Sequence, residues 1–179
     1  MSRAFLIGGA TGVGKSTFAR ELAVRENIVH ITGTDTIREV LRDVLNPIFV
    51  PDLYYKSFEA RDFESQLRVV ATGINAVLRR AAIEQFDVII EGIHVVPGYY
   101  SVPTLVEPWQ VVLHAPNNSE HLKRLEHREG RGDYTGSMPS ITILQNFVEA
   151  KALEHGVPVL TSDEAWVLAR AHTLGESHD

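Results

Sequence analysis

The chain has 179 residues, of which 44% are hydrophobic and 22% charged, which is enough for one domain with a substantial core. Its net charge of −6 counts against duplex nucleic acid as a main partner, because phosphate backbones require a basic surface. The absence of cysteine excludes disulfides, thiolate metal sites and cysteine nucleophiles. We see no apolar run long enough to span a membrane and no room for a signal peptide before the first strand, so we expect a cytoplasmic protein without membrane contacts.

Apolar strand-like runs alternate with helical patterns along the chain. Strands are predicted at residues 4–8, 28–31, 87–91, 109–114 and 158–160. Helices are predicted at residues 16–25, 34–46, 58–82, 119–127, 141–155 and 164–174, with loops at 48–55 and 128–139. This order predicts an α/β fold with three layers, a mainly parallel five-stranded sheet, and a single domain over residues 1–179.

Residues 9–16, with the sequence GATGVGKS, form a complete GxxxxGK[ST] phosphate loop between the first predicted strand and helix. That context favours a P-loop NTPase fold over the alternative, a chance glycine-rich turn. Backbone N–H groups and the helix N-terminus hold the phosphates in such loops, and the lysine and hydroxyl serve the terminal phosphates and Mg²⁺. The predicted ligands are ATP and Mg²⁺, and the predicted nucleotide-binding residues are Gly9, Thr11, Gly12, Val13, Gly14, Lys15, Ser16 and Thr17.

Two acidic residues follow predicted strands at the sheet edge where open α/β folds bind their ligands. Glu91 ends the third strand, as a Walker B acid does, and we predict that it is catalytic and holds Mg²⁺ with Ser16. Asp35 is a candidate base for an acceptor hydroxyl, and together with Lys15 it completes this catalytic group. The alternatives are a solvated strand-end carboxylate for Glu91 and a plain helix N-cap for Asp35.

Basic residues near Asp35 predict an anionic acceptor. Arg38 and Arg42 share a helix face with Asp35, and a guanidinium fork there suits a phosphate or carboxylate group. A solvated helix face is the alternative. His94 follows the third strand and is a weaker candidate for substrate contact, since a lone histidine is more often packed or hydrogen-bonded.

A second basic cluster precedes and enters the glycine-rich loop, and residues 122–140 are predicted to form a lid. Arginines on a closing lid can supply positive charge to the transferring group. We expect Arg124 to contact the nucleotide, Arg128 to be catalytic and Arg131 to bind the acceptor, although the sequence does not rank the three. A basic surface helix balanced by glutamates is the alternative.

Four segments resemble the 2-phosphoglycerate kinases of archaea and their bacterial relatives. They are IGGATGVGKSTFARELA at 7–23, ITGTDTIREVLR at 31–42, IIEGIHVVPG at 89–98 and EHGVPVL at 154–160. The resemblance implies a fold like that of nucleoside monophosphate kinases, with a lid. It also implies transfer of the γ-phosphoryl of ATP to the hydroxyl of 2-phosphoglycerate, giving 2,3-bisphosphoglycerate. By position in the matching segments, the resemblance implies that Lys15 and Ser16 bind ATP and Mg²⁺. It also implies that Asp35 and Arg38 face the acceptor and that Glu91 and His94 lie beside the reacting groups.

The chain also departs from this family pattern. Archaeal members carry an N-terminal region of the ATP-cone type, whereas this chain starts at the kinase segment, so we expect no regulation by such a region. The segment GRGDYTGSMPS replaces an arginine-rich helical lid pattern. The alternatives kept open are another acceptor (a sugar acid, a nucleoside or a polynucleotide 5′-hydroxyl) and a nucleotide-dependent switch or binding module. The sequence does not indicate the oligomeric state.

Overall fold

The computed structural model describes residues 1–126 and 134–175, and its centre is a parallel sheet of five strands. The strands are β1 (Ser2–Gly8), β2 (His30–Gly33), β3 (Val88–Glu91), β4 (Val106–Leu113) and β5 (Val159–Leu160). They lie in the order β2-β3-β1-β4-β5, and each neighbouring pair is parallel. The predicted α/β architecture is confirmed.

Six helices surround the sheet in the described part of the chain. They are α1 (Lys15–Glu26), α2 (Thr34–Val44), α3 (Phe63–Glu84), α4 (Asn118–Glu126), α5 (Met138–Glu154) and α6 (Ser162–Gly175). Short 3₁₀ turns lie at Pro51–Tyr54 and Thr135–Ser137. The crossover helices cover both faces of the sheet, as parallel pairing requires.

Alternate residues of β1 enter two separate cores, one on each face of the sheet. Phe5 and Ile7 belong to a core that also contains Phe18 and Trp109, and Ala4 and Leu6 belong to a second core with much of α3. A strand buried on both faces needs apolar residues at every position, which explains the continuous run in β1. β1 is therefore held rigidly, and it delivers the phosphate loop at its carboxyl end.

Most element boundaries differ from the prediction by a few residues, and β2 lies at His30–Gly33 instead of residues 28–31. Two of the differences have clear local reasons. α3 begins at Phe63 instead of residue 58, because the Asp62 side chain accepts a hydrogen bond from Ser65 N at 3.0 Å and caps the helix. β4 begins at Val106, three residues early, and contains Pro108. Proline is tolerated there because β5 pairs only with the last two residues of β4, so the outer side of Pro108 has no strand neighbour.

The helical spacing of the apolar residues in α2 predicts that Ile37, Val40, Leu41 and Val44 face inward, and this prediction is partly wrong. Ile37 is buried, but Val40 and Val44 are 59% and 71% exposed. α2 follows β2, which is the edge strand of the sheet, so the helix has a packing partner on one side only. Its contact is a narrow one in which Ile37 lies directly against Gly73 of α3.

Candidate nucleotide and acceptor site

The phosphate loop joins β1 to α1 with a glycine at each conformationally demanding position. Gly14 is the N-cap of α1, and its φ of 101° lies in the region that favours glycine. Among the described residues no side chain caps this helix, and the positive end of a helix dipole favours an anionic ligand. The cradle therefore fits the phosphates of a nucleotide.

The side chain of Lys15 folds back onto the phosphate loop. Its side chain is 8% exposed, and its Nζ donates a hydrogen bond to the Ala10 carbonyl oxygen at 2.7 Å. Lys15 also lines a cleft at the carboxyl end of the sheet. The cleft is lined by Thr11, Lys15, Ser16, Gly33, Thr34, Asp35, Glu91, Gly92 and Ile93. The structure thus brings the three residues predicted to be catalytic in the described part, Lys15, Asp35 and Glu91, to one place.

Ser16 and Glu91 are direct neighbours, as a shared magnesium site would require. Ser16 Oγ donates to Glu91 Oε1 at 3.0 Å, and β3 places Glu91 between Ile7 of β1 and Gly33 of β2. Within residues 1–126 and 134–175, no group of three or more histidine, aspartate or glutamate side chains is arranged to hold a metal. A hydroxyl and one carboxylate suit Mg²⁺, which usually takes its other ligands from phosphates and water.

Arg38 is a buried cation with an unused donor. Its side chain is 13% exposed, and its Nε is buried without a hydrogen-bond partner among the described residues. Its Nη1 donates to the Tyr55 carbonyl oxygen at 3.4 Å, and its Nη2 donates to Glu39 Oε1 at 3.2 Å and lies 3.9 Å from Asp35 Oδ1. A buried N–H that lacks an acceptor is costly, so this arrangement favours an anionic ligand beside Asp35.

Arg42 is engaged elsewhere. Its Nη1 donates to both carboxylate oxygens of Glu39, at 2.9 and 3.0 Å, and its guanidinium lies over the Tyr54 ring. Neither arginine is among the residues that line the cleft, but Arg38 Nη2 lies 3.9 Å from Asp35, which does line it. Of the two predicted acceptor arginines, the structure therefore places only Arg38 beside Asp35.

His94 does not line the cleft, contrary to the expected substrate contact. It is fully buried, its Nε2–H donates to Gln66 Oε1 at 2.8 Å, and its Nδ1 accepts from Thr34 Oγ1 at 3.1 Å. Burial, reinforced by the positive charges of Arg38 and Lys15, lowers the pKa of His94 from 6.5 to about 3. The His94 ring is neutral, and it holds the Thr34 side chain through this hydrogen bond.

This depressed pKa predicts a pH-dependent stability. Unfolded His94 takes up a proton below pH 6.5, whereas folded His94 does so only near pH 3, so the free energy of unfolding falls as the pH drops through that interval. We expect His94→Asn to show a smaller loss of stability between about pH 7 and about pH 5 than the parent chain. Urea unfolding at the two pH values measures this, and equal losses in both proteins would show that His94 is not the titrating group.

Arg124 lies on the other side of the phosphate loop. Its Nη1 donates to the Val13 carbonyl oxygen at 3.3 Å. It lines a second cavity together with Gly12, Gly14, Ser16, Thr17, Arg20, Ser162 and Asp163. This cavity lies next to the phosphate loop, and it could hold the part of a nucleotide that extends beyond the phosphates. The other two lid arginines, Arg128 and Arg131, lie outside the described residues, and their roles stay predictions.

Two residues that the sequence analysis did not identify form hydrogen bonds to backbone groups of the phosphate loop. Gln145 Oε1 accepts from Ala10 N at 2.6 Å, and His121 Nε2 donates to the Thr11 carbonyl oxygen at 2.7 Å. They lie 135 and 110 residues from their partners, so no local pattern reveals them. The one sequence signal for Gln145 is that it interrupts the otherwise apolar buried face of α5, which indicates a buried polar contact.

The fold and the site together define a P-loop nucleotide-binding protein with the architecture of small-molecule kinases. A gluconokinase from Sinorhizobium meliloti superposes with a TM-score of 0.58 over 99% of this chain and 97% of its own, at 16% identity. A shikimate kinase from Acinetobacter baumannii gives a TM-score of 0.55 over 100% and 96%, at 14% identity. At these identities, the two structures establish the fold.

A family profile described as AAA domain matches residues 6–154, and the chain belongs to that family. The 2-phosphoglycerate kinase of Thermococcus kodakarensis is 38% identical over 178 residues, which cover 89% of this chain and 61% of the relative. That of Pyrococcus furiosus is 36% identical, with 89% and 59% covered. The predicted resemblance is confirmed, and the chain spans about three fifths of the length of these curated relatives.

The family implies ATP as the ligand of the phosphate loop. In the part of the chain that the structure describes, no helix combines the length and the apolar character needed to cross a bilayer.

Proposed function

We propose that the protein is an ATP-dependent kinase that transfers the γ-phosphoryl group to a hydroxyl of a small anionic acceptor, namely 2-phosphoglycerate. The observation that carries this proposal is the shared cleft. It brings the phosphate loop, with Lys15 and Ser16, against Asp35 and Glu91 at the carboxyl end of the sheet. A cleft that holds both a phosphate loop and an exposed carboxylate, Asp35, suits transfer between two bound substrates.

The loop side of the cleft would bind the nucleotide. The N-terminus of α1 and the Lys15 ammonium would hold the phosphates, and Arg124 would contact the nucleotide beyond the loop. Ser16 and Glu91 would hold Mg²⁺, which supplies neutralisation of phosphate charge when it is bound. Lys15 would exchange its internal bond to Ala10 for a phosphate oxygen.

The α2 side of the cleft would bind the acceptor. Asp35 is 77% exposed at its side chain, and it would accept the proton of the attacking hydroxyl. A bond then forms between that oxygen and the γ-phosphorus while the bond from the phosphorus to the leaving ADP oxygen breaks. Arg38 would hold the phosphate or carboxylate of the acceptor through its unused N–H.

The choice of 2-phosphoglycerate rests on the curated relatives, which carry that name and match most of this chain. The test is ADP release from MgATP with and without 2-phosphoglycerate, with the product identified by mass or by NMR. Strong stimulation together with 2,3-bisphosphoglycerate formation would establish both reaction and acceptor. Without stimulation by 2-phosphoglycerate, this acceptor is excluded, and a panel of phosphorylated and carboxylated alcohols then tests the reaction itself.

Removal of the Arg38 guanidinium is expected to affect the acceptor selectively. For Arg38→Ala we expect the acceptor KM to rise at least about tenfold, because a charge-assisted bond to the acceptor anion is lost, while the KM for ATP changes less than about twofold. Steady-state kinetics with each substrate varied in turn measure this.

Arg42→Ala is the matched control, since Arg42 carries the same charge one helical turn away and shares the Glu39 partner, but its guanidinium lies over the Tyr54 ring. It should leave both KM values near those of the parent. Equal rises in the two KM values for Arg38→Ala would argue against an acceptor clamp.

A further inference from the structure

Two glutamines are buried in the described core, and their side-chain amides are aimed at different parts of the cleft. Gln66 of α3 is completely buried, and Gln145 of α5 is 7% exposed. Glutamine is mostly found at protein surfaces, because a buried amide must find partners for both its oxygen and its nitrogen. The partners of these two residues therefore indicate what each amide holds in place.

Gln145 holds the start of the phosphate loop. Its Oε1 accepts from Ala10 N at 2.6 Å, while its Nε2 donates to the Leu113 carbonyl oxygen at 3.2 Å and to Glu149 Oε1 at 2.7 Å. The orientation of the amide is fixed by its partners, because a backbone N–H can only donate and a carbonyl oxygen can only accept. Gln145 thus ties the loop to the carboxyl end of β4, and Ala10 is the residue whose carbonyl receives Lys15.

Gln66 holds the segment between α2 and α3. Its Nε2 donates to the carbonyl oxygens of Asp52 and Tyr55, at 2.7 and 3.1 Å. The Tyr55 carbonyl oxygen is the same atom that accepts the 3.4 Å bond from Arg38 Nη1. Gln66 and Arg38 therefore meet at one backbone atom, which together with Glu39 holds the guanidinium.

The side-chain oxygen of Gln66 is connected through His94 to the start of α2. Gln66 Oε1 accepts from His94 Nε2, and His94 Nδ1 in turn accepts from Thr34 Oγ1. Thr34 is the first residue of α2, directly before Asp35, and it fits closely against Gly92, where a Cβ would overlap Thr34 Oγ1. One amide is thereby connected both to the start of α2 beside Asp35 and to the carbonyl beside Arg38.

We propose that the two buried glutamines are positioning residues that divide the cleft between them, Gln145 setting the phosphate loop for the nucleotide and Gln66 setting Asp35 and Arg38 for the acceptor. The division into nucleotide and acceptor sides rests on the proposed function. Neither glutamine lines the cleft, so each acts through the backbone and side chains that it bonds.

The test compares Gln66→Met with Gln145→Met, each serving as the control for the other. Methionine has nearly the same length and fills the same space without the amide. Hydrogen–deuterium exchange of the full chain should show faster exchange in residues 51–57 for Gln66→Met alone and in residues 9–15 for Gln145→Met alone. This measurement needs no acceptor, so it stays informative if 2-phosphoglycerate is not the substrate.

Binding and kinetics give the functional measurement. Gln145→Met should raise the Kd for MgADP about tenfold, as expected for loss of a buried hydrogen bond, and Gln66→Met should change it less than about twofold. If the parent chain phosphorylates 2-phosphoglycerate, Gln66→Met should raise the KM for that acceptor about tenfold. No phosphorylation by the parent overturns the proposed acceptor, whereas the exchange and MgADP results decide the inference.

A second pair, Gln66→Glu and Gln145→Glu, is used if a methionine variant does not fold. Gln66→Glu retains an oxygen for His94 and removes the donor to Tyr55, and Gln145→Glu retains an oxygen for Ala10 N and removes the donor to Leu113. Equal effects of the two substitutions on both segments, or no effect on either, would overturn the division, because general loss of stability does not separate the two sides.

Discussion

Lys15→Ala is expected to lower kcat about a thousandfold or more and to leave the fold intact. The ammonium is the positive charge of the described cleft nearest to the loop that receives the phosphates, and preorganised charge on a transferring phosphoryl group contributes this much. We expect a modest structural loss, because the charge-assisted bond from Lys15 Nζ to the Ala10 carbonyl oxygen is worth about 2 kcal/mol. Measurement of ADP release at saturating MgATP, together with thermal unfolding, tests both parts of this expectation.

Lys151→Ala is the control for a general effect of removing a lysine. Lys151 pairs with Glu154 on α5 and does not line the cleft. Its removal should leave kcat unchanged. Turnover of Lys15→Ala close to that of the parent would exclude the phosphate-loop mechanism, whatever the acceptor.

Glu91→Gln is expected to lower kcat about a hundredfold and to raise the Mg²⁺ concentration needed for half-maximal rate. Glutamine has the same shape, and its oxygen can still accept the hydrogen bond from Ser16 Oγ, so the substitution removes mainly the negative charge. Mg²⁺ prefers carboxylate and phosphate oxygens to neutral amides. A titration of the rate with Mg²⁺ at fixed ATP measures the shift.

Glu84→Gln removes the same charge at a distance from the cleft. Glu84 is the last residue of α3 and pairs with Arg80 on the surface of the helix. This variant should keep the Mg²⁺ dependence of the parent. An unchanged Mg²⁺ dependence in Glu91→Gln would assign the metal to other ligands and leave Glu91 with a structural role.

The sheet and the phosphate loop were predictable because their signals are local. A buried parallel strand is a short apolar run, and the GxxxxGKS loop is contiguous in sequence, so β1 and α1 follow from about 25 consecutive residues. The capping box of α6 was predictable for the same reason: Glu164 N donates to Thr161 Oγ1, and Thr161 N donates to Glu164 Oε2.

The side-chain environments were less predictable because they depend on what lies across the sheet. The pattern of α2 suggested burial of Val40 and Val44, but no sequence pattern reveals that β2 is an edge strand. His94 follows β3 as the residues of the cleft do, yet it points into the core, where Gln66 supplies a partner 28 residues away. The roles of Gln66 and Gln145 likewise arise only once α3 and α5 are packed.

The strand order also determines when the cleft can exist during synthesis. β1 emerges first, but its neighbours are β3 and β4, so it has no strand partner until much later in translation. The hydrogen bond from Arg3 N to Asp87 Oδ1 joins residues that are 84 positions apart, and the bond from Ala10 N to Gln145 Oε1 joins residues that are 135 positions apart. Contacts of such long range form slowly, since a large loop must close before they are made. We therefore expect a ribosome-bound chain that ends before α5 to lack the Gln145 bond to its phosphate loop and to bind nucleotide weakly.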